Sequence, residues 1–144
     1  MKLNIEEVKA YSEEIKGAIN GLLRQLDDGV PSLLEKQVKE IIGFSNSRLF
    51  IIKAETGGIV GMAFLIIYYV PTGKKGIIEN VVIDENYRGK GLGTRLMNAV
   101  IDKARDEKIT YVDLTSRPER KSANRLYQRL GFVKRNTNIY RLKL

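Results

Sequence analysis

The run Val81-Val82-Ile83-Asp84-Glu85-Asn86-Tyr87-Arg88-Gly89-Lys90-Gly91-Leu92-Gly93-Thr94 constrains this chain more than any other stretch. β-Branched residues break into a polar turn. Three glycines then alternate with other residues, and an amphipathic helix starts, with Leu92, Leu96, Met97, Val100, Ile101 and Ala104 on one side. At such a junction the first amides of the helix have no intrahelical partner, and the helix dipole adds partial positive charge. Glycine lets the backbone approach a ligand closely and adopt positive φ. The run therefore reads as a seat for a phosphate or pyrophosphate. A plain tight turn would not require three alternating glycines.

The flanking sequence supplies a mixed set of elements. Residues 1–4 suit a short strand. Residues 5–26 place Ile5, Val8, Tyr11, Ile15, Ala18, Ile19, Leu22 and Leu26 at helical spacing, and Gly29 and Pro31 stop that helix. Ser32 with Glu35 three residues on predicts a capping box for a second helix. Strands are expected at 48–55, 59–69 and 76–84, with turns at Thr56-Gly57-Gly58 and Pro71-Thr72-Gly73-Lys74. After the helix at 92–107 come a short strand at 111–115, a helix at 119–130 ending at Gly131, and closing strands at 132–134 and 138–144. The order defines an α/β or α+β chain with a mixed sheet. Segment 76–115 is a β-α-β crossover whose two strands should be parallel.

Composition removes much chemistry. The 144 residues, 43% hydrophobic and 29% charged, suit a single domain spanning 1–144 with a real core. Neither cysteine nor histidine occurs, so there is no disulfide, thiol nucleophile, cysteine–histidine zinc site or Ser-His-Asp triad, and no metal is expected. Catalysis would fall to carboxylates, tyrosine, lysine, backbone dipoles or a cofactor. A net charge of +8 favours anionic partners. The basic residues are dispersed, with no basic helix interleaved with aromatics, so nucleic acid is not the expected partner. No apolar run suits a membrane span and no signal peptide is visible, which gives a cytoplasmic expectation.

The phosphate seat is not a Walker P-loop, since G-x-x-x-x-G-K-[ST] is absent. A dinucleotide fingerprint counted from Gly89 ends on Thr94, and too few residues follow for a doubly wound sheet, although Asp113 stands at the spacing of a ribose-binding acid. Arg88-Gly89-Lys90-Gly91-Leu92-Gly93 does match the R/Q-x-x-G-x-G/A signature, and Tyr127-Gln128-Arg129-Leu130-Gly131-Phe132 matches a Tyr-x-x-x-Gly-Phe segment. On these motifs, and on the element order between them, the chain resembles the GNAT superfamily of acyl-CoA-dependent N-acyltransferases over residues 76–134. The resemblance implies a mostly antiparallel sheet that splays open between two central parallel strands, flanked by helices, with acetyl-CoA in the gap.

Carried to this sequence, the resemblance assigns the pantetheine arm to the backbone of Val81, Val82 and Ile83. It assigns the pyrophosphate to the amides of Gly89, Lys90, Gly91, Leu92, Gly93 and Thr94, with Arg88 at the start of that loop. Lys90 and Arg95 either add charge to the phosphates or face solvent. Tyr127 is the candidate general acid for the leaving thiolate. A core aromatic is the alternative, because Ala123, Leu126, Tyr127 and Leu130 share a helical stripe. Glu79 is the candidate general base. By strand alternation it shares a face with Val81 and Ile83, where burial would raise its pKa, and Asn80 points the other way. Many members carry Asn seven residues before the tyrosine. Here that position is Arg120, so Arg120 or Asn124 would contact the cofactor. Thr115, Ser116, Arg117, Tyr68 and Tyr69 are candidate acceptor contacts.

The reading is an N-acetyltransferase that moves an acetyl group from acetyl-CoA to a primary amine by direct transfer in a ternary complex. The amine belongs to a small molecule or to a protein. No membrane or nucleic-acid partner is expected, and a homodimer is possible through the last strands. The alternative is a non-catalytic acyl-CoA-binding regulatory module of the same fold.

Overall fold

The structure, a computed structural model, describes residues 2–144. Five strands lie side by side in chain order: β1 (Leu3–Glu7), β2 (Ser47–Ala54), β3 (Ile59–Val70), β4 (Gly73–Ile83) and β5 (Val112–Asp113). The first four pair antiparallel, and β5 runs parallel to β4. Helices α1 (Glu13–Leu26) and α2 (Glu35–Gly43) cover one face, and α3 (Leu92–Asp106) and α4 (Lys121–Arg129) cover the other.

Alternation along the inner strands feeds two cores. Leu49 and Ile51 of β2 pack with Ile15, Ile19, Leu22 and Val38 beneath α1 and α2. Phe50 and Ile52 point the other way, to Leu96, Met97 and Val100 of α3. A sheet covered on both faces carries continuous apolar runs in its central strands, as β2 and β3 do.

Four expectations are corrected. Residues 5–12 are not helical: Ile5 pairs with Ile52 on β2, and Val8 N donates to Leu49 O at 2.8 Å. The helix begins only after Ser12, whose Oγ accepts from Ile15 N at 3.1 Å. The Ser32 capping box does not form. The segment before α2 is instead clamped to α1 by Asn20, which accepts from Leu33 N (2.7 Å) and donates to Leu33 O (3.0 Å). Leu34 precedes the helix, and its N–H is taken by Gln37 Oε1 at 2.8 Å. The strands expected at 132–134 and 138–144 are absent: no strand follows β5, whose ladder is only two residues long. Ile139, Tyr140, Leu142 and Leu144 are exposed there, and β5 is an edge rather than a central strand.

Two features of β4 set up the site. Its ladder with β5 holds only Gly76↔Val112 and Ile77↔Asp113, so the sheet opens from Ile78 onwards. On its other side, the register to β3 slips between Met62↔Val82 and Phe64↔Glu79. Asn80 and Val81 together face Ala63, and Asn80 takes a left-handed φ of 51°. This is a β-bulge at a residue type that tolerates positive φ.

Candidate active site

The bulge decides where the carboxylate points. Val81 and Ile83 pack against the α3 core, whereas Val82 is buried in the α1–α2 core. Regular alternation back from Val81 would put Glu79 with Val81 and Ile83. The extra residue reverses that. Ile78 joins the α3 side, and Glu79 lies exposed on the α1–α2 side, lining a cavity of about 560 Å³ together with Asn80. The expectations that Glu79 shares a face with Val81, that it is buried, and that Asn80 points away are therefore corrected. An Asn interrupting a β-branched run was the available signal for the bulge.

The backbone of the open edge follows from one hydrogen bond. Asp84 N donates to Val60 O at 2.8 Å. In an antiparallel ladder such residues alternate with ones whose groups point away from the partner strand. Val82 is thereby turned to β3, while Val81 and Ile83 present their groups to the gap beside β5. Of the three residues assigned to the pantetheine arm, Val82 has its backbone groups occupied by the ladder.

Beyond Ile83 the chain is pinned before it turns. Asp84 Oδ1 accepts from Asn86 N (2.9 Å), Gln25 Oε1 accepts from Glu85 N (2.9 Å), and Arg88 Nε donates to Ile83 O (2.9 Å). Arg88 thus braces the loop from the gap side and takes up the Ile83 carbonyl, leaving the Ile83 N–H and the groups of Val81 open there. Gly89 and Gly91 take φ of 76° and 77°, a region costly for residues with a Cβ. Gly93 serves packing instead: a Cβ there would sit 3.0 Å from Leu126 Cδ2 of α4. The first amide of this stretch to return to the chain is Arg95 N, to Gly91 O at 3.2 Å. The amides of Gly89 to Thr94 precede it at a helix start, where intrahelical partners are lacking. Lys90 Nζ lies 5.3 Å from the centre of the Tyr87 ring beside this loop. Arg95 turns away and donates to Leu3 O at 3.3 Å.

Tyr127 is half-buried against the α3 core, with Phe132 edge-on at 6.0 Å and 64°. Burial raises its phenol pKa above the ordinary value near 10, and the positive charge of Arg120 partly opposes that. No side-chain oxygen among the described residues is both buried and unpartnered. The Tyr127 hydroxyl, which has no protein partner there, is therefore open to solvent. Arg120 Nη2 donates to Leu26 O at 2.9 Å, fastening the start of α4 to the end of α1. Asn124 Nδ2 donates to Arg117 O (2.9 Å) and Arg120 O (2.8 Å), closing the turn before α4. Both candidates for the extra cofactor contact thus hold the turn that leads into α4, the helix that carries Tyr127. Thr115, Ser116, Arg117, Tyr68 and Tyr69 do not line the cavity. Glu40, Phe44, Phe64 and Ile66 do, and no local sequence signal marks them.

Comparison with known proteins agrees with this geometry. Residues 19–132 match the model of the acetyltransferase (GNAT) family. Glucosamine 6-phosphate N-acetyltransferase 1 of Oryza sativa subsp. japonica is 26% identical over 134 residues, covering 88% of this chain and 79% of its own. A crystal structure of a Trypanosoma brucei acetyltransferase superposes with a TM-score of 0.80 at 27% identity, covering 99% of this chain and all of that one. The aminoglycoside acetyltransferase AAC(6')-Iy, solved with a bisubstrate analogue containing CoA, has the same fold with a TM-score of 0.81 at 21% identity over the full length of both chains. The protein belongs to the GNAT acetyltransferase family.

Proposed function

We propose that this protein is an acetyl-CoA-dependent N-acetyltransferase acting on a primary amine by direct transfer in a ternary complex. One observation carries the proposal: the unpaired edge of β4 at Val81 and Ile83 runs straight into the unpartnered amides of Gly89–Thr94. An extended amide-bearing arm ending in a pyrophosphate suits that track. The strand edge offers donors and acceptors in line, and the helix start offers convergent N–H groups.

The two catalytic candidates lie on opposite faces of the sheet, Glu79 towards α1–α2 and Tyr127, on α4, towards the α3 core. The gap between β4 and β5 joins those faces, so the thioester belongs there. Glu79, directly or through water, takes the proton of the acceptor ammonium. The freed amine attacks the acetyl carbonyl, its nitrogen gives up its second proton to water, the C–S bond breaks, and the Tyr127 phenol donates its proton to the thiolate and is reprotonated from solvent. Lacking cysteine, the chain cannot form a thiol-linked acyl-enzyme. The apolar segment around Ile139–Leu144 and the free edge of β5 add a homodimer to this reading, in which a second copy covers that segment. Ile139→Asp with Leu142→Asp then shifts the mass in solution to that of a monomer.

Thermal shift with acetyl-CoA, CoA, NADH and ATP tests the donor assignment. A ligand at 100 times its Kd adds about 2.7 kcal/mol of stability. Stabilisation by the CoA species alone is expected. No response to them would remove the proposal, whereas binding without transfer to any amine would leave a regulatory acyl-CoA-binding module.

A further inference from the structure

The cavity beside Glu79 has a chemical character at odds with the rest of the chain. Its walls are apolar, built from Leu23, Leu33, Ile41, Phe44, Phe64 and Ile66. Its neutral polar groups are Gln37, Ser47 and Asn80, and the Gln37 side-chain oxygen is already engaged by Leu34 N. The charged residues that line it are Glu40 and Glu79, both acidic. Among the described residues no lysine or arginine lines it, although the chain carries 25 against 17 acidic residues. Neither carboxylate is within ion-pair distance of a cation among those residues, although Lys39 next to Glu40 pairs with Glu35 at 3.2 Å.

We infer that the acceptor is a small primary amine carried on an uncharged, apolar body, with its ammonium at Glu79 and its body against Phe44, Phe64 and Ile66. The inference rests on the transferase reading and narrows its acceptor. A volume of about 560 Å³ suits a small molecule. An anionic acceptor would bring a phosphate or carboxylate to a site with two carboxylates and no counter-charge. A hydroxyl-rich sugar would bury most of its hydroxyls against apolar walls, with only Gln37, Ser47, Asn80 and the two carboxylates to bond them. A second ammonium on the body would lose its hydration against Phe44, Phe64 and Ile66, a cost that an apolar body does not carry. The rice relative's name specifies a phosphorylated amino sugar, and the walls of this cavity are unsuited to one.

CoA release from acetyl-CoA, measured across an acceptor series, tests this. The series is n-butylamine, n-hexylamine, 2-phenylethylamine, 1,4-diaminobutane, glucosamine and glucosamine 6-phosphate. Expected is a rise in kcat/KM of roughly fourfold per added methylene, with 2-phenylethylamine at least about 100-fold above glucosamine 6-phosphate, as expected from the missing counter-charge. Phe44→Ser alters an exposed cavity wall, so folding is not at stake. It should raise KM for 2-phenylethylamine about tenfold through lost apolar contact, leaving kcat and acetyl-CoA affinity unchanged. Preference for glucosamine 6-phosphate, glucosamine or the diamine would overturn the inference while leaving the transferase intact. Absence of turnover with every amine, when acetyl-CoA stabilises the protein, also overturns it. Failure to bind acetyl-CoA is a different result and removes the underlying reading.

Discussion

The proposed donor track and the proposed acceptor cavity share β4, yet they are built by different means. From Val81 to Thr94 the working groups are main-chain amides and carbonyls, aimed by an unpaired strand edge, two left-handed glycines and a helix start. Around Glu79 the working groups are side chains from α1, α2, β2, β3 and β4, brought together by tertiary packing. A backbone site needs only a few residue types at fixed spacing, so it leaves a compact trace in sequence. A side-chain site scattered over residues 19–80 leaves none. That difference accounts for how openly the chain declares its donor and how little it says of its acceptor.

Substitutions that separate the two halves from the chemistry sharpen this contrast. The largest effect is expected from Tyr127→Phe, which should lower kcat roughly 10- to 1000-fold on general-acid magnitudes, with acetyl-CoA affinity intact. An unchanged kcat removes Tyr127 from the mechanism. Because burial raises this phenol's pKa above the ordinary value near 10, the acid stays protonated throughout the neutral range. Loss of rate assignable to Tyr127 is expected only as pH rises through that raised value, and an earlier falling limb absent from Tyr127→Phe would contradict the burial argument.

Next is Glu79→Gln, expected to lower kcat/KM about 10- to 100-fold at neutral pH. The deficit should narrow at alkaline pH, where the amine arrives unprotonated. A pH-independent deficit would leave Glu79 only a positioning role. Gly91→Ala acts on the donor half alone. Its φ of 77° costs an L-residue about 1–2 kcal/mol, so a lower Tm and an acetyl-CoA Kd raised about tenfold are expected, with acceptor selectivity unchanged. An altered acceptor preference would break the separation of the halves.

The smallest effect lies away from both. Glu107 pairs with Arg48 (3.4 Å), Lys74 (3.5 Å) and Lys103 (3.7 Å) at the end of α3. Burial disfavours its charge, but Lys74, Arg48 and Lys103 together outweigh that and hold its pKa below the usual 4.5. A folded-state pKa that is depressed contributes stability above the unfolded value, and that contribution is lost as pH falls through the folded one. Glu107→Gln should therefore lower Tm by a few degrees at pH 7 on surface ion-pair magnitudes. The gap from wild type should close in acid, with acetyl transfer unaffected.

The same division runs through the rest of the chain. The β4–α3–β5–α4 order is readable because α3 buries a clean stripe, and glycines mark its start at Gly89 and Gly91 and the end of α4 at Gly131. Residues 5–12 were misread because Ile5, Val8 and Tyr11 satisfy helical spacing while Leu3 and Ile5 satisfy strand alternation. The free edge of β2 decides between them, and that edge is not local information. Ser32 and Glu35 have the spacing of a cap, but the reciprocal bonds from Asn20 hold the preceding segment extended up to Leu34. The bulge at Asn80 moves Glu79 to the opposite face, a one-residue slip that strict alternation misses and that only the Asn within a β-branched run signals. The alternation after Phe132 has strand character, and a strand forms only where a neighbour accepts it.

Residue-resolved amide hydrogen exchange with and without acetyl-CoA tests the central claim most directly. The account predicts that Val81, Ile83 and the amides from Gly89 to Thr94 gain protection, while Val82, already bonded to β3, does not change. Protection that appears elsewhere, or on Val82 instead of its two neighbours, would contradict it.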